Sequence, residues 1–157
     1  MTGGREEGQR NLWTDRLAAR VGRGLEALEN GYRDLLRGLG GADNLYGGPG
    51  DDVIEGGPGS DLLAGGQGRD TYVFAPGDSP RGGGMSVIDD SDGSSIIRFT
   101  EGVSLGDLEF ETIGEDIHVS YSLGDTFVVR NGAVAGAVAW YELASGALLT
   151  QQQAETA

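Results

Sequence analysis

Gly38-Leu-Gly-Gly-Ala-Asp-Asn-Leu-Tyr46, Gly47-Gly-Pro-Gly-Asp-Asp-Val-Ile-Glu55, Gly56-Gly-Pro-Gly-Ser-Asp-Leu-Leu-Ala64 and Gly65-Gly-Gln-Gly-Arg-Asp-Thr-Tyr-Val73 align without a gap, so residues 38–73 repeat with a period of nine. Position 4 is always Gly (41, 50, 59, 68), and position 6 is always Asp (43, 52, 61, 70). Position 8 is large and apolar: Leu45, Ile54, Leu63 and Tyr72. A loop with Gly at positions 1, 2 and 4 reaches backbone angles that side chains disfavour, and it turns sharply. Such a turn aims carbonyl oxygens at one point, and the position-6 Asp adds a carboxylate. Positions 7 to 9 then form a very short strand whose position-8 side chain points inward, because strand side chains alternate. One unit cannot bury that side chain alone; stacked units can.

Carbonyl and carboxylate oxygens are the ligands of hard cations, and Ca²⁺ accepts about six to eight of them in flexible geometry. The pattern G-G-x-G-x-D-x-U-x is that of a calcium-binding parallel β-roll. Residues 38–73 resemble the repeats-in-toxin (RTX) family of haemolysin-type calcium-binding proteins. The resemblance implies two nonapeptides per coil, with loops alternating between two edges of the roll. Loops 38–43 and 56–61 would stack on one edge, and loops 47–52 and 65–70 on the other. One ion would then sit between Asp43 and Asp61 and another between Asp52 and Asp70, for about two or more Ca²⁺ per chain. The backbone carbonyls assigned to these sites are those of positions 1 and 3: Gly38, Gly40, Gly47, Pro49, Gly56, Pro58, Gly65 and Gln67. Leu39 at position 2 departs from the pattern in the first unit.

The chain has 157 residues, 30 of them Gly, and a net charge of −14. Nothing gives the basic footprint of a nucleic-acid binder. The repeat block crowds Asp43, Asp51, Asp52, Glu55, Asp61 and Asp70 together. Their repulsion opposes folding until a cation neutralises them, so folding on calcium is expected. Cys is absent, and the polar N-terminus lacks the form of a cleaved signal peptide. The resemblance implies an extracellular protein secreted through a type I system without one.

The rest of the chain is read around the roll. Residues 1–11 read as a disordered lead and 151–157 as a flexible tail. Leu17, Val21, Leu25, Leu28, Tyr32, Leu35 and Leu39 are spaced alternately four and three apart. That spacing predicts an amphipathic helix over 12–37, read as covering the first coil in preference to a coiled-coil segment for self-association. Gly22, Gly24 and Gly31 each lower its propensity by about 1 kcal/mol relative to Ala. Residues 74–99 read as degenerate coils with Ser86 and Ser95 where Asp is expected. Residues 100–150 read as a β-rich C-terminal cap of short strands and tight turns, with Asn131-Gly132 as a hairpin signal. Residues 86–150 are similar to the haemolysin-type calcium-binding-related domain that follows such repeats.

The fold class expected is therefore mainly β: a short parallel β-roll (β-helix) with an N-terminal helix and a β-rich C-terminal cap. The chain shows no catalytic constellation. Its one His, His118, lies in an alternating strand, and Trp13 and Trp140 read as core or docking residues. Besides calcium ions, the candidate partners are a polysaccharide or another protein bound to a calcium-rigidified scaffold, or a second copy of the chain.

Overall fold

The structure, a computed structural model, describes residues 16–19, 24–26, 33–79, 84–90, 94–135, 138–150 and 152–153. In chain order its strands begin with β1 (Arg16–Ala19), β2 (Gly24–Glu26), β3 (Asp34–Arg37), β4 (Asn44–Pro49) and β5 (Val53–Glu55). Next come β6 (Leu62–Gln67), β7 (Thr71–Phe74), β8 (Ser86–Ile88), β9 (Ser95–Phe99) and β10 (Glu109–Ile113). Last are β11 (Asp116–Ser120), β12 (Thr126–Val129), the helical turn α1 (Gly132–Ala135), β13 (Val138–Glu142) and β14 (Leu148–Leu149).

Two sheets result, and the chain alternates between them through the repeats. One runs β1-β3-β5-β7-β9-β13-β14, the other β10-β11-β12-β8-β6-β4-β2. The repeat strands pair in parallel, each with the strand two units on: Leu45 opposite Leu63, Ile54 opposite Tyr72. The position-8 side chains therefore stack into two inward columns. Leu36, Ile54, Tyr72 and Ile97 form one, and Leu45, Leu63 and Ile88 the other; all are at most 2% exposed. Each such side chain contributes about 1.5–3 kcal/mol of hydrophobic stabilisation.

The expected helix over 12–37 is corrected. Arg16–Ala19, Gly24–Glu26 and Asp34–Arg37 are strands, and the rest of that span lies outside the described residues. The first coil of the repeat block offers open parallel edges, and β3 satisfies one of them: Leu35, Leu36 and Arg37 pair with Val53, Ile54 and Glu55. Leu36 thereby enters the core in line with Ile54. The leucine spacing fits a helix equally well, but a helix leaves that edge unpaired and strings three glycines through its own interior.

After β7 the register advances by 25 residues in place of 18: Thr71 pairs with Ile96 and Leu62 with Val87. The extra seven residues are absorbed beyond Phe74, where Asp78 folds back with its carboxylate accepting the Ala75 N–H at 2.7 Å. β12 and β13 then continue the two sheets in parallel, while β10, β11 and β14 finish them antiparallel. Phe74 stacks on Phe127 at 4.2 Å between ring centroids, and Tyr121 packs against Phe74, Phe99 and Phe127. Such ring pairs add about 0.5–1.5 kcal/mol each beyond their burial.

A second correction concerns Asn131-Gly132. It makes no hairpin, because β12 and β13 belong to different sheets. Asn131 takes φ 54° and leads into α1, its N–H donating to Asp116 Oδ1 at 2.8 Å, and the next strand is β13 (Val138–Glu142).

Candidate metal centre

The position-6 aspartates form two buried columns. Asp34, Asp52 and Asp70 line one edge of the roll and Asp43 and Asp61 the other, all at most 3% exposed. Each column is knitted by one repeated contact, in which the backbone N–H of one Asp donates to Oδ1 of the Asp one coil on. The distances are 2.8 Å for Asp34 to Asp52, 2.8 Å for Asp52 to Asp70 and 2.9 Å for Asp43 to Asp61. The aspartate carbonyls point along the same axis and accept N–H groups from the next coil, as Asp43 does from Leu62 and Asp52 from Thr71, both at 2.8 Å. The structure thus brings together both pairs expected from the sequence. Each column ends on the expected hydroxyl: Asp61 N–H donates to Ser86 Oγ at 3.2 Å, and Asp70 N–H to Ser95 Oγ at 3.1 Å.

Asp34 is the residue that the sequence reading missed. Its signal was the ninefold register, which places Asp34 at position 6 and Leu36 at position 8 of a unit spanning 29–37. That unit lacks Gly at positions 1, 2 and 4, which concealed it.

Oδ1 is engaged along the column, so Oδ2 is the oxygen left over. Oδ2 of Asp52 and of Asp61 is buried and takes no hydrogen bond from the described residues. It lies against the position-1 glycine of its own loop: a Cβ added to Gly47 would overlap Asp52 Oδ2, and one on Gly56 would overlap Asp61 Oδ2. The carbonyl of the next coil closes the same space. Gly65 O lies 2.6 Å from a Cβ built on Gly47, and Gly56 O 2.6 Å from one built on Gly38, whose neighbour is also Asp43 Oδ2 at 2.8 Å. These are glycine-floored cradles walled by carboxylate and carbonyl oxygen, the donor set of a hard cation.

The other assigned carbonyls are distributed differently. Pro58 O accepts the Gly41 N–H at 3.0 Å and Gln67 O the Gly50 N–H at 2.8 Å, so these position-3 oxygens tie coil to coil and keep one lone pair each. Position-2 and position-4 carbonyls, unassigned from the sequence, point at the next coil. A Cβ on Gly57 would overlap Leu39 O, and one on Gly59 would overlap Gly41 O. Gly57 also has φ 84°, so no other residue fits it without strain. Leu39 holds φ 76° with a side chain present, which is the strain hidden in the irregular first unit. Among the described residues no three acidic or histidine side chains converge on one point. A cation held here would take most of its ligands from the backbone.

Electrostatics fit the same arrangement. The Asp52 carboxyl is pushed up to about 6, chiefly by burial and further by Asp34 and Asp51, against a lowering hydrogen bond from Asp34 N–H. Asp61 also rises to about 6, again chiefly through burial, with Asp43 and Asp78 adding repulsion against lowering bonds from Asp43 N–H and Ser86. Burial also raises Asp78. Deeper in the core, Tyr72 Oη donates to Asp90 Oδ2 and accepts the Gly65 N–H, both at 2.7 Å, and burial followed by Asp90 holds its phenol protonated.

Trp140 is exposed, so the core half of its reading is corrected; Trp13 lies outside the described residues.

The sequence profile of the RTX calcium-binding nonapeptide repeat (4 copies) matches residues 30–72, and so begins upstream of Asp34. No curated protein matches the chain. The AlgE6R2 subunit of the Azotobacter vinelandii mannuronan C5-epimerase shares the fold at 23% identity and a TM-score of 0.55, over 80% of this chain and 91% of that one. The AlgE6R3 subunit of the same enzyme is similar at 23% identity and a TM-score of 0.55, over 77% and 79%. Residues 30–72 are RTX calcium-binding nonapeptide repeats, and the mainly β fold that they build is a parallel β-roll.

Proposed function

We propose that the chain is a calcium-dependent folding module, in which Ca²⁺ fills the spaces between stacked loops and so completes the roll. The observation that carries this reading is the pair of buried carboxylate oxygens, Asp52 Oδ2 and Asp61 Oδ2, set in carbonyl-walled cradles with no donor among the described residues. At pH 7, ionising a carboxyl whose folded value is about 6 and whose ordinary value is 3.8 costs the fold about 3 kcal/mol. Two such groups cost about 6 kcal/mol, comparable with the whole stability of a typical domain. A divalent cation reverses the sign of that contribution, so binding free energy becomes folding free energy.

Three aspartate pairs stand one coil apart: Asp34/Asp52, Asp52/Asp70 and Asp43/Asp61. The last two are the pairs expected from the sequence, and Asp34 adds the third. Asp43, Asp52, Asp61 and Asp70 remain the principal side-chain ligands, with loop carbonyls around them. The module binds and scaffolds; no catalytic role is assigned to it. The place of action that goes with the RTX resemblance is outside the cell, where calcium modules work at about 10⁻⁴–10⁻³ M calcium. Type I export is the route that goes with that location.

Calorimetric calcium titration of the full chain, with far-ultraviolet circular dichroism alongside, tests the reading. About three ions per chain and a gain of β-signal are expected. Absence of binding at millimolar calcium overturns it, and a nanomolar dissociation constant would move the site of action inside the cell.

A further inference from the structure

The roll does not end where its repeat does. After Val73 the nine-residue period lapses, yet residues 76–79 rebuild the loop of the next coil on the edge that carries Asp43 and Asp61. Gly59 N–H donates to Asp78 O at 2.8 Å, as Gly41 donates to Pro58 O at 3.0 Å and Gly50 to Gln67 O at 2.8 Å, so Asp78 stands at position 3. Gly77 before it has φ 95°, matching 94°, 84° and 103° at the position-2 glycines Gly48, Gly57 and Gly66. The irregular segment thus keeps the backbone course of the loop and puts a carboxylate where the three loops before it have Pro49, Pro58 and Gln67. The β11–β12 hairpin holds this segment in place. Asp125 Oδ2 accepts the Gly77 N–H at 2.7 Å, Thr126 N–H donates to Ser79 O at 3.1 Å, and Tyr121 Oη donates to Ala75 O at 3.2 Å.

The last regular aspartate on this edge faces that loop. In the regular cradles a Cβ on the position-1 glycine points at the next coil, from Gly38 to Gly56 O and from Gly47 to Gly65 O, both at 2.6 Å. The same direction on Gly56 meets Asp61 Oδ2, which is buried and takes no hydrogen bond from the described residues, while Oδ1 reaches back to Asp43. The far side is polar. Ser86 Oγ accepts the Asp61 N–H at 3.2 Å and donates to Gly59 O at 3.3 Å, and Ser79 Oγ donates to it at 3.1 Å; both serines are 1% exposed. Asp78 is also buried, and lies close enough for its charge to repel that of Asp61. A depression of about 260 Å³ beside Asp78, lined also by Arg37, Leu39, Glu55, Gly57 and Pro58, gives a way in from solvent. On the other edge, the buried carboxylate of the last loop, Asp90, is engaged by Tyr72 Oη.

We propose that the space between loop 56–61 and residues 76–79 is a further calcium site, held by Asp61 Oδ2 and the Asp78 carboxylate, which joins the roll to its C-terminal strands. The site rests on the calcium reading above and adds an ion beyond the three aspartate pairs. Ser86 offers a neutral hydroxyl where the regular column has a second carboxylate. This ion is therefore held more weakly than the others, because ligand charge tunes calcium affinity. Asp78, from outside the repeat, replaces part of the charge lost at Ser86. Its loop is in place only while the β11–β12 hairpin holds Gly77 and Ser79. By linkage, binding of this ion tightens the docking of the hairpin by the same factor that docking tightens the ion.

Calorimetric calcium titration of the full chain tests the site, with circular dichroism on every variant. The parent should bind about three ions tightly and one more about 10-fold more weakly. Asp78→Asn keeps an acceptor for the Ala75 N–H and should weaken that last ion about 10-fold or more. Ser86→Asp restores the regular carboxylate and should bring the last ion into the tight class. Hydrogen exchange at the Gly77 and Thr126 amides should slow as the last ion binds to the parent, and not in Asp78→Asn over the same calcium range. The proposal is overturned if the titration ends with the tight class, if Asp78→Asn keeps the weak phase, if Ser86→Asp folds in calcium and still binds the last ion weakly, or if the two amides ignore the last ion. A parent chain that binds no calcium and shows unchanged dichroism sinks the calcium reading itself, and this site with it.

Discussion

Replacing Asp52 by Asn should act with opposite signs on the calcium-free and calcium-loaded protein. Asp52 is the middle member of its column, fully buried, with Oδ1 accepting the Asp34 N–H. Asn retains that acceptor, and its amide nitrogen can donate to the Gly65 carbonyl beside the same cradle. The substitution therefore removes the buried charge and keeps the column. With the carboxyl at about 6 in the fold and 3.8 ordinarily, the calcium-free roll gains about 3 kcal/mol at pH 7, or about 6–12 °C in a domain of this size. Calcium binding moves the other way. Asp52 faces two inter-loop spaces, and loss of a metal ligand should weaken both by about 100-fold or more, since even second-shell changes cost 10–100-fold. Thermal melts by circular dichroism, in chelator and in millimolar calcium, read both effects. A variant no more stable than the parent in chelator refutes the account of the buried charge. A variant with the parent's full calcium response refutes Asp52 as a ligand.

Other outcomes follow from the same geometry. Asp52 and Asp61 have folded values raised to about 6, so the stability that their protonated forms give the calcium-free roll is complete below pH 3.8 and lost as pH rises through about 6; acid melts in chelator should show it. Calcium affinity should fall below pH 6 for the converse reason, with proton release that makes the binding heat depend on the buffer. Asp34→Asn should lower the stoichiometry from about three ions to about two, and an unchanged count would remove Asp34 from the site. Leu39→Gly should stabilise the first coil by about 1 kcal/mol through relief of its positive φ. Gly57→Ala should destabilise by 2 kcal/mol or more, because its Cβ meets the Leu39 carbonyl; equal melting temperatures for the two variants would contradict the coil-to-coil contact.

What the sequence disclosed follows the strength of its periodicity. Four gapless units determined the loops and the inward position-8 side chains, whereas the two-unit coil, and with it the Asp43/Asp61 and Asp52/Asp70 pairings, came from the resemblance to RTX repeats. Where the glycine scaffold lapses, legibility lapses with it. Asp34 obeys the period without the glycines, and the leucines around it sit at helical spacing. Pairing decides between the two, and a partner strand 18 residues away is invisible to local propensity. Ser86 and Ser95 were legible as substituted aspartates, yet the seven-residue excursion that brings them into place was not. Asn131-Gly132 misled for a related reason: its local turn preference was real, but the sheets on either side belong to different layers.

The aromatic cluster of Phe74, Phe99, Tyr121 and Phe127 has a consequence for the order in which the roll winds up. It fastens the last coils to strands that follow them in the chain, so the aspartate coils stack on a platform made of later residues. On the reading proposed above, the chain stays an open, acidic thread until it meets calcium, and winding is then expected to run from the later end of the repeats toward the earlier one. A fragment ending at Gly102 should accordingly remain unwound even in millimolar calcium; a folded fragment would show that the coils nucleate by themselves.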